Sequence, residues 1–276
     1  MRQIGKVVAL AAFVGVFLGI SFLGPSTDMQ FCQVVITYSF QYYKFNYTDI
    51  VYITTRMLPY FLFLFLYGTY IYKHFCTAGV YVFSRCDNRL KWIAKEIAEL
   101  FGFCVLFTVL IPLFGLALAC VTNHVSFDRS DLYIYFYYVA IYSLWLFFIT
   151  LLANMLAIRF GGMKGFGAVV IGICICIALL SLWDDNKALS LATTKDIAEI
   201  VKHARLLKLN PISHLFITWH SSPDEMVNQY INILEIDYSL MLSVVTMAAA
   251  SVVTAVVSMI YIKKVDLIIM LGREEN

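Results

Sequence analysis

Residues 132–158 read LYIYFYYVAIYSLWLFFITLLANMLAI, a run of 27 residues without Asp, Glu, Lys, Arg or His. A transmembrane helix needs about 20 mostly apolar residues. The run is therefore long enough to cross a bilayer. It predicts a membrane-spanning helix, and it is the longest of several such stretches in the chain.

The composition of the whole chain agrees with this interpretation. Of 276 residues, 61% are apolar and only 14% are charged, whereas an ordinary soluble domain has roughly 25% charged residues. The mean hydropathy of +0.80, the 22 Phe and the 18 Tyr argue against a disordered chain. A formal net charge of +2 gives no indication of a nucleic-acid partner. The composition predicts a polytopic membrane protein.

Six apolar windows approach or exceed the length of a membrane span. They lie at residues 7–23, 51–72, 97–121, 132–158, 165–183 and 238–262. The second window reaches full length only if its first residues are included despite Arg56. We therefore predict an all-α protein with six transmembrane helices, organised as a single transmembrane domain over residues 1–276 of a multi-pass cell-membrane protein.

The basic residues of the short loops predict that both termini are cytoplasmic. With this orientation, 12 of the 20 Lys and Arg residues lie on the cytoplasmic side. Five of the other eight fall in one long loop between the fifth and sixth windows, where charge influences orientation less.

Four of the seven Cys lie inside apolar windows, so no disulfide framework is predicted.

The segment between the second and third windows has an amphipathic pattern. Residues 84–96 read SRCDNRLKWIAKE, with Leu90, Ile93 and Ala94 at helical spacing between charged residues. The pattern predicts an amphipathic cytoplasmic helix. Its basic residues could contact anionic lipid at the interface, or the helix could dock a cytoplasmic partner.

The segment between the fifth and sixth windows is also predicted to be helical and external. Thr193 is a suitable cap for a helix over residues 194–208, and Asn210 and Pro211 break the pattern. Ser222 is the expected N-cap of a second helix that continues into the sixth span. These helices would rest on the outer membrane face, or they would form a solvent-exposed cap.

Small residues recur at helical spacing in three spans. Ala11, Gly15 and Gly19 form such a stripe in the first span. Small residues allow helices to approach closely in lipid. The stripe therefore indicates either packing within the chain or self-association.

The motifs of common enzyme classes are absent from the sequence. No phosphate-binding G-x-x-x-x-G-K-[ST] loop, no H-E-x-x-H metal motif and no G-x-S-x-G nucleophile occurs. The predicted spans contain almost no ionisable residues: Glu99 lies at the start of the third, and Asp237 only borders the sixth. Proton- and ion-coupled transporters usually need such groups inside the membrane. We therefore expect neither an enzyme nor an ion-coupled transporter, and no metal site.

Taken together, these features resemble the membrane subunit of a type-two ABC exporter, over nearly the whole chain. The most specific matching residues are Phe83, Ser84, Arg85, Asn88, Arg89, Trp92 and Lys95 before the third span, and Leu209, Asn210, Pro211 and Ile212 before the sixth. The resemblance implies a surface for ATPase docking and coupling, formed by Arg85, Arg89, Lys91, Trp92 and Lys95. Trp92 would be its apolar anchor. It also implies that Asn210 and Pro211 belong to an external gate.

The resemblance also implies partners. Two permease copies, or one copy and a related permease, would form a pathway for a hydrophobic or amphipathic substrate such as a peptide, lipid or drug. Two copies of a separate ATPase would bind ATP and Mg, so this chain itself would hold no cofactor. A longer external loop after the first span departs from the family pattern. The alternative is a non-transporting immunity or sensory membrane subunit that binds a cytoplasmic partner.

Overall fold

The computed structural model describes residues 2–24, 28–40, 47–81, 89–193, 208–232 and 238–264. The helices are α1 (Arg2–Phe22), α2 (Phe31–Tyr38), α3 (Tyr47–Tyr67), α4 (Tyr70–Tyr81), α5 (Arg89–Thr122), α6 (Arg129–Phe160), α7 (Gly162–Thr193), α8 (Glu225–Asn228) and α9 (Leu240–Lys264). Two short strands, β1 (Asp28–Gln30) and β2 (His124–Ser126), pair in parallel. The described part of the chain is mostly helical, as predicted.

Within the described residues, five helices are long and apolar enough to cross a membrane. They are α1, α5, α6, the Gly162–Leu180 part of α7, and α9. These helices overlap the first, third, fourth, fifth and sixth predicted spans. The architecture therefore suits a multi-pass membrane protein.

The second predicted span differs from the structure, because residues 51–72 do not form one helix. The helix α3 starts earlier, at Tyr47, and ends at Tyr67, and α4 begins at Tyr70. With 21 residues, α3 is about 31 Å long. Arg56 is buried, and its guanidinium carbon lies 3.7 Å from the centre of the Phe22 ring on α1. The cation thus rests on an aromatic face, which is a favourable contact.

The predicted amphipathic helix is not separate from the third span over the residues that the structure describes. Residues 89–96 form the first turns of α5, a continuous helix of 34 residues. Ile93 is buried as the pattern predicted, but Leu90 is exposed. A continuous helix therefore joins the charged segment directly to the apolar span.

The central helix of the fold is α6, which contacts α2, α4, α5, α7 and α9. Its side chains Tyr138, Tyr142 and Trp145 are fully buried. Tyr60 of α3 packs against them, with 5.7 Å between the ring centres of Tyr60 and Trp145 and 3.3 Å between the hydroxyl oxygens of Tyr60 and Tyr138. The aromatic residues of this single chain thus fill its own core.

The small-residue stripe of α1 packs against α5. A Cβ atom on Gly15 would lie 2.7 Å from the carbonyl oxygen of Ile111, and one on Gly19 would lie 2.7 Å from the Leu118 side chain. Glycine is required at position 15, where the backbone of α5 lies too close for a larger residue, whereas at Gly19 the neighbour is the end of a flexible side chain. Of the two interpretations of this stripe, packing within the chain is the one observed.

Candidate functional site

The structure places four of the five predicted docking residues on the first two turns of α5. These are Arg89, Lys91, Trp92 and Lys95, whereas Arg85 lies outside the described residues. Lys91 and Lys95 are exposed, and Lys95 Nζ lies 3.7 Å from Glu99 Oε1. This helix end therefore presents a basic surface.

Trp92, predicted to be the apolar anchor of the docking surface, packs within the chain. It is partly buried against the core, and its ring centre lies 6.2 Å from that of Phe75 on α4. Part of its apolar surface is thus used within the chain. Its packing fixes the start of α5 on α4.

A polar contact reinforces the same junction. Glu96 of α5 is buried, and its Oε2 lies 2.9 Å from Nδ1 of His74 on α4. One turn earlier on α4, the Tyr70 hydroxyl donates to Glu99 Oε2 at 3.3 Å. A buried carboxylate is stable only with such partners. Displacement of the charged end of α5 would therefore be transmitted to α4.

The break between α3 and α4 is held by Asn154 of α6. Its Oδ1 accepts from the backbone N–H groups of Ile71 at 2.7 Å and Tyr72 at 3.2 Å. Its Nδ2 donates to the carbonyl oxygens of Tyr67 and Thr150, both at 2.8 Å. Helix ends leave backbone groups unpaired, and lipid offers them no partner. One buried amide thus makes an interrupted helix tolerable.

The predicted gate residues lie at the start of a buried segment. Asn210 Nδ2 donates to the carbonyl oxygen of Cys176 on α7 at 2.8 Å, and its Oδ1 accepts from the Ile212 N–H at 2.9 Å. Pro211, between them, is half-buried. Asn210 therefore fixes the segment that follows it to α7.

We call residues 212–220 the plug, because all nine are buried. The plug consists of two short 3-10 turns, Ser213–Leu215 and Ile217–Trp219. The Tyr142 hydroxyl of α6 donates to the Leu215 carbonyl at 2.6 Å and accepts from the Phe40 N–H at 2.9 Å. The ring of Phe216 lies 5.5 Å from that of Phe40. The plug thus covers one end of the aromatic core.

The predicted second helix of this region is wrong in its start and its extent. Asp224, rather than Ser222, is the N-cap of α8, and its carboxylate accepts from the Met226 N–H. Ser222 Oγ instead accepts from the Asp224 N–H. The helix α8 has only four residues and does not continue into α9, which begins at Leu240. The helix predicted over residues 194–208 falls almost entirely outside the described residues.

Two histidines of the plug share one serine. Ser243 Oγ of α9 lies 2.8 Å from His214 Nδ1 and 2.6 Å from His220 Nε2. The other ring nitrogens face carbonyl oxygens, with Nε2 of His214 at 3.1 Å from Lys208 O and Nδ1 of His220 at 2.8 Å from Phe216 O. These four contacts need four hydrogens. Two neutral imidazoles and one hydroxyl supply three, so a single added proton would complete the set.

Burial opposes that proton. It lowers the pKa of His214 to about 4 and that of His220 to about 3. The other titratable groups at the site are Tyr238, whose ring lies 4.5 Å from that of His220, and Lys208, whose Nζ lies 5.9 Å from the centre of the Tyr238 ring. Neither is an anion at neutral pH. The histidine pair is therefore neutral near pH 7.

Comparison of the chain with protein-family models, with curated proteins and with solved structures gives no match. Within the described residues, no group of three His, Cys, Asp or Glu side chains is placed to hold a metal ion. The functional interpretation therefore depends on the residues of this chain.

Sequence reasoning did not identify three of these features: Asn154, the Glu96–His74 contact, and the histidine pair. Asn154 could have been noticed, because it is the only amide in the apolar run of residues 132–158, and polar groups inside membrane spans are usually functional or structural. The other two features join residues from different helices. No spacing along the sequence indicates them.

Proposed function

We propose that this chain is the permease subunit of an ATP-driven exporter of the type-two ABC class. Two copies, or one copy and a related permease, form a pathway for a hydrophobic or amphipathic substrate, with both termini in the cytoplasm. Two copies of a separate ATPase bind ATP and Mg. The observation that carries the proposal is the basic end of α5, which is continuous with a span and fixed to α4 by the Glu96–His74 contact.

In this mechanism, the ATPase binds the basic surface at Arg85, Arg89, Lys91 and Lys95. Closure of the ATPases displaces the start of α5, and the rigid helix moves together with α4. The plug and its attachment at Asn210 respond at the other end of the bundle as an external gate. Rigid-body movement of packed helices is a general means of exchanging access between two sides.

The first test concerns docking. An Arg pair engages carboxylates through a fork of hydrogen bonds that Lys cannot reproduce. The double variant Arg85→Lys, Arg89→Lys is expected to weaken ATPase copurification and substrate-stimulated hydrolysis. The matched control is the double variant Arg129→Lys, Arg159→Lys. If the first variant binds and stimulates the ATPase like the unmodified chain, the docking assignment is wrong.

The same assay addresses the alternative of a non-transporting immunity or sensory subunit. A partner that binds through α5 without substrate-stimulated ATP hydrolysis and without substrate movement would favour that alternative. The variant Glu96→Gln adds a test of coupling. It weakens the charge-assisted contact with His74 but leaves the exposed basic surface unchanged, so it should reduce transport more than ATPase binding.

A second test concerns the orientation. Phe127 lies between α5 and α6, Met163 lies at the start of α7, and both are exposed. Single cysteines at these two positions, in a chain without its natural cysteines, should react with an impermeant thiol reagent from opposite sides of the membrane. Position 163 should react from the cytoplasmic side. Labelling of both positions from one side would contradict the six-span arrangement.

A further inference from the structure

A cavity of about 300 Å³, with a mixed polar and apolar lining, lies between the start of α1 and the junction of α3 with α4. Lys6 of α1 and Lys73 of α4 line it from different helices, and Leu66 of α3 forms part of its wall. Both lysines are exposed. The volume lies at the lower end of the range for ligand pockets.

The charges around this cavity favour an anion. The two nearby carboxylates already have partners, Glu96 with His74 at 2.9 Å and Glu99 with Lys95 at 3.7 Å. In the described part of the chain, no carboxylate lies within ion-pair distance of Lys6 or Lys73. Two positive charges thus face one cavity without a counterion from these residues.

An apolar groove of about 90 Å³ lies farther along the same pair of helices. Phe13 and Phe17 of α1 line one side, and Leu58 and Leu62 of α3 line the other. Phe13 and Phe17 follow Lys6 by 7 and 11 residues, which places all three on one face of α1. On α3, Leu62 and Leu58 precede Leu66 by 4 and 8 residues. The cavity and the groove therefore belong to one seam between α1 and α3.

The dimensions of the seam match one leaflet of a bilayer. The 11 residues from Lys6 to Phe17 span about 16 Å of helix, and half of the hydrocarbon core measures about 15 Å. Phe13 and Phe17, which line the groove, are exposed over 63% and 45% of their surface. Such apolar exposure is typical of a surface that contacts lipid.

We propose that this seam is a phospholipid-binding site. The anionic phosphate of the headgroup occupies the cavity between Lys6 and Lys73, and one acyl chain lies in the groove between α1 and α3. The site does not depend on transport or on an ATPase. Its test therefore has a readout separate from the proposed function.

The test uses the purified full chain in detergent micelles, with lipid binding measured by native mass spectrometry. Dioleoyl phosphatidylglycerol is the lipid probe, and glycerol 1-phosphate is the soluble probe with the same anionic group. Each basic residue near an anionic lipid strengthens its binding about fivefold. The double variant Lys6→Gln, Lys73→Gln should therefore weaken lipid binding about 30-fold. The matched control is Lys164→Gln, Lys263→Gln, which alters two exposed lysines outside the seam and should bind normally.

A second variant separates a lipid from a free anion. Leu58→Trp fills part of the groove, so it should weaken phosphatidylglycerol binding but leave glycerol 1-phosphate binding unchanged. Unchanged lipid binding in the double lysine variant would overturn the proposal. Glycerol 1-phosphate that binds as tightly as the lipid, together with no effect of Leu58→Trp, would indicate a free-phosphate site and would also overturn it. If the double variant loses its helical circular dichroism, the single variants decide, each with an expected loss of about fivefold.

Discussion

The side-chain amide of Asn154 makes four hydrogen bonds where α3 gives way to α4, and the variant Asn154→Leu would remove all of them. Leucine is similar in size, so the change creates little cavity. It leaves three backbone groups without their partner: the N–H groups of Ile71 and Tyr72 and the carbonyl of Tyr67. The Thr150 carbonyl keeps its ordinary helical hydrogen bond.

The expected cost follows from these three groups. A buried polar group that loses its partner costs about 1 to 3 kcal/mol, so the three together give about 3 to 9 kcal/mol. Tyr72 is only partly buried, and its N–H can find another partner more easily. We therefore expect the free energy of unfolding to fall by about 4 kcal/mol, in the lower half of that range. For a chain of this size, the melting temperature should fall by about 8 to 16 °C.

Thermal unfolding followed by circular dichroism in detergent measures this effect, and hydrogen exchange of peptides over residues 68–75 locates it. Thr150→Val is the matched control, one turn away on the same helix. Within the described residues, the buried Thr150 Oγ1 has no hydrogen-bond partner, so its removal should be neutral or slightly stabilising. If Asn154→Leu melts within about 3 °C of the unmodified chain, the amide does not support the helix break.

Three further predictions concern other contacts. Burial holds the pKa of His214 at about 4 and that of His220 at about 3, both below the ordinary 6.5. The plug should therefore keep nearly its full stability above pH 6.5 and lose about 3 kcal/mol for each histidine as the pH falls to 4; hydrogen exchange of residues 212–220 should increase at acid pH, except in a His214→Gln, His220→Gln variant. Tyr142→Phe removes the hydroxyl that joins the plug to Phe40. It should lower the stability of the plug by about 2 kcal/mol and increase its proteolysis; an unchanged rate of proteolysis would contradict a stabilising role for this hydroxyl. Gly15→Ala should lower the melting temperature by several degrees because its Cβ would collide with α5, whereas Gly5→Ala, which faces open space, should not.

The apolar spans could be predicted from the sequence because the transfer of a segment into lipid depends on that segment alone. The uncharged run over residues 132–158 predicted a span, and the structure forms α6 there. The same reasoning was less successful at residues 51–72. Hydropathy measures the segment but contains no information about Asn154, which stabilises a break at Gly68 and Thr69 from another helix.

Capping residues in the sequence also did not predict where the helix α8 begins. Ser222 followed by Pro223 is a good helix start in isolation, yet Asp224 is the cap that the structure uses. Ser222 N–H instead donates to the Asn228 side chain at 2.7 Å. Both caps are chemically suitable, and the choice between them depends on how residues 212–222 pack against the core. A cap motif predicts that a helix starts nearby, but not which of two neighbouring acceptor side chains will cap it.

The sequence by itself determined the membrane character of the chain, its approximate spans and the basic segment at the start of α5, because composition and hydropathy are additive along the chain. The tertiary structure alone decided the partners: Asn154 with Ile71, 83 residues apart, His220 with Ser243, 23 residues apart, and Glu96 with His74, 22 residues apart. Each partnership requires two helices to approach at a particular face and height. That geometry depends on side-chain packing throughout the bundle, which no local sequence pattern predicts.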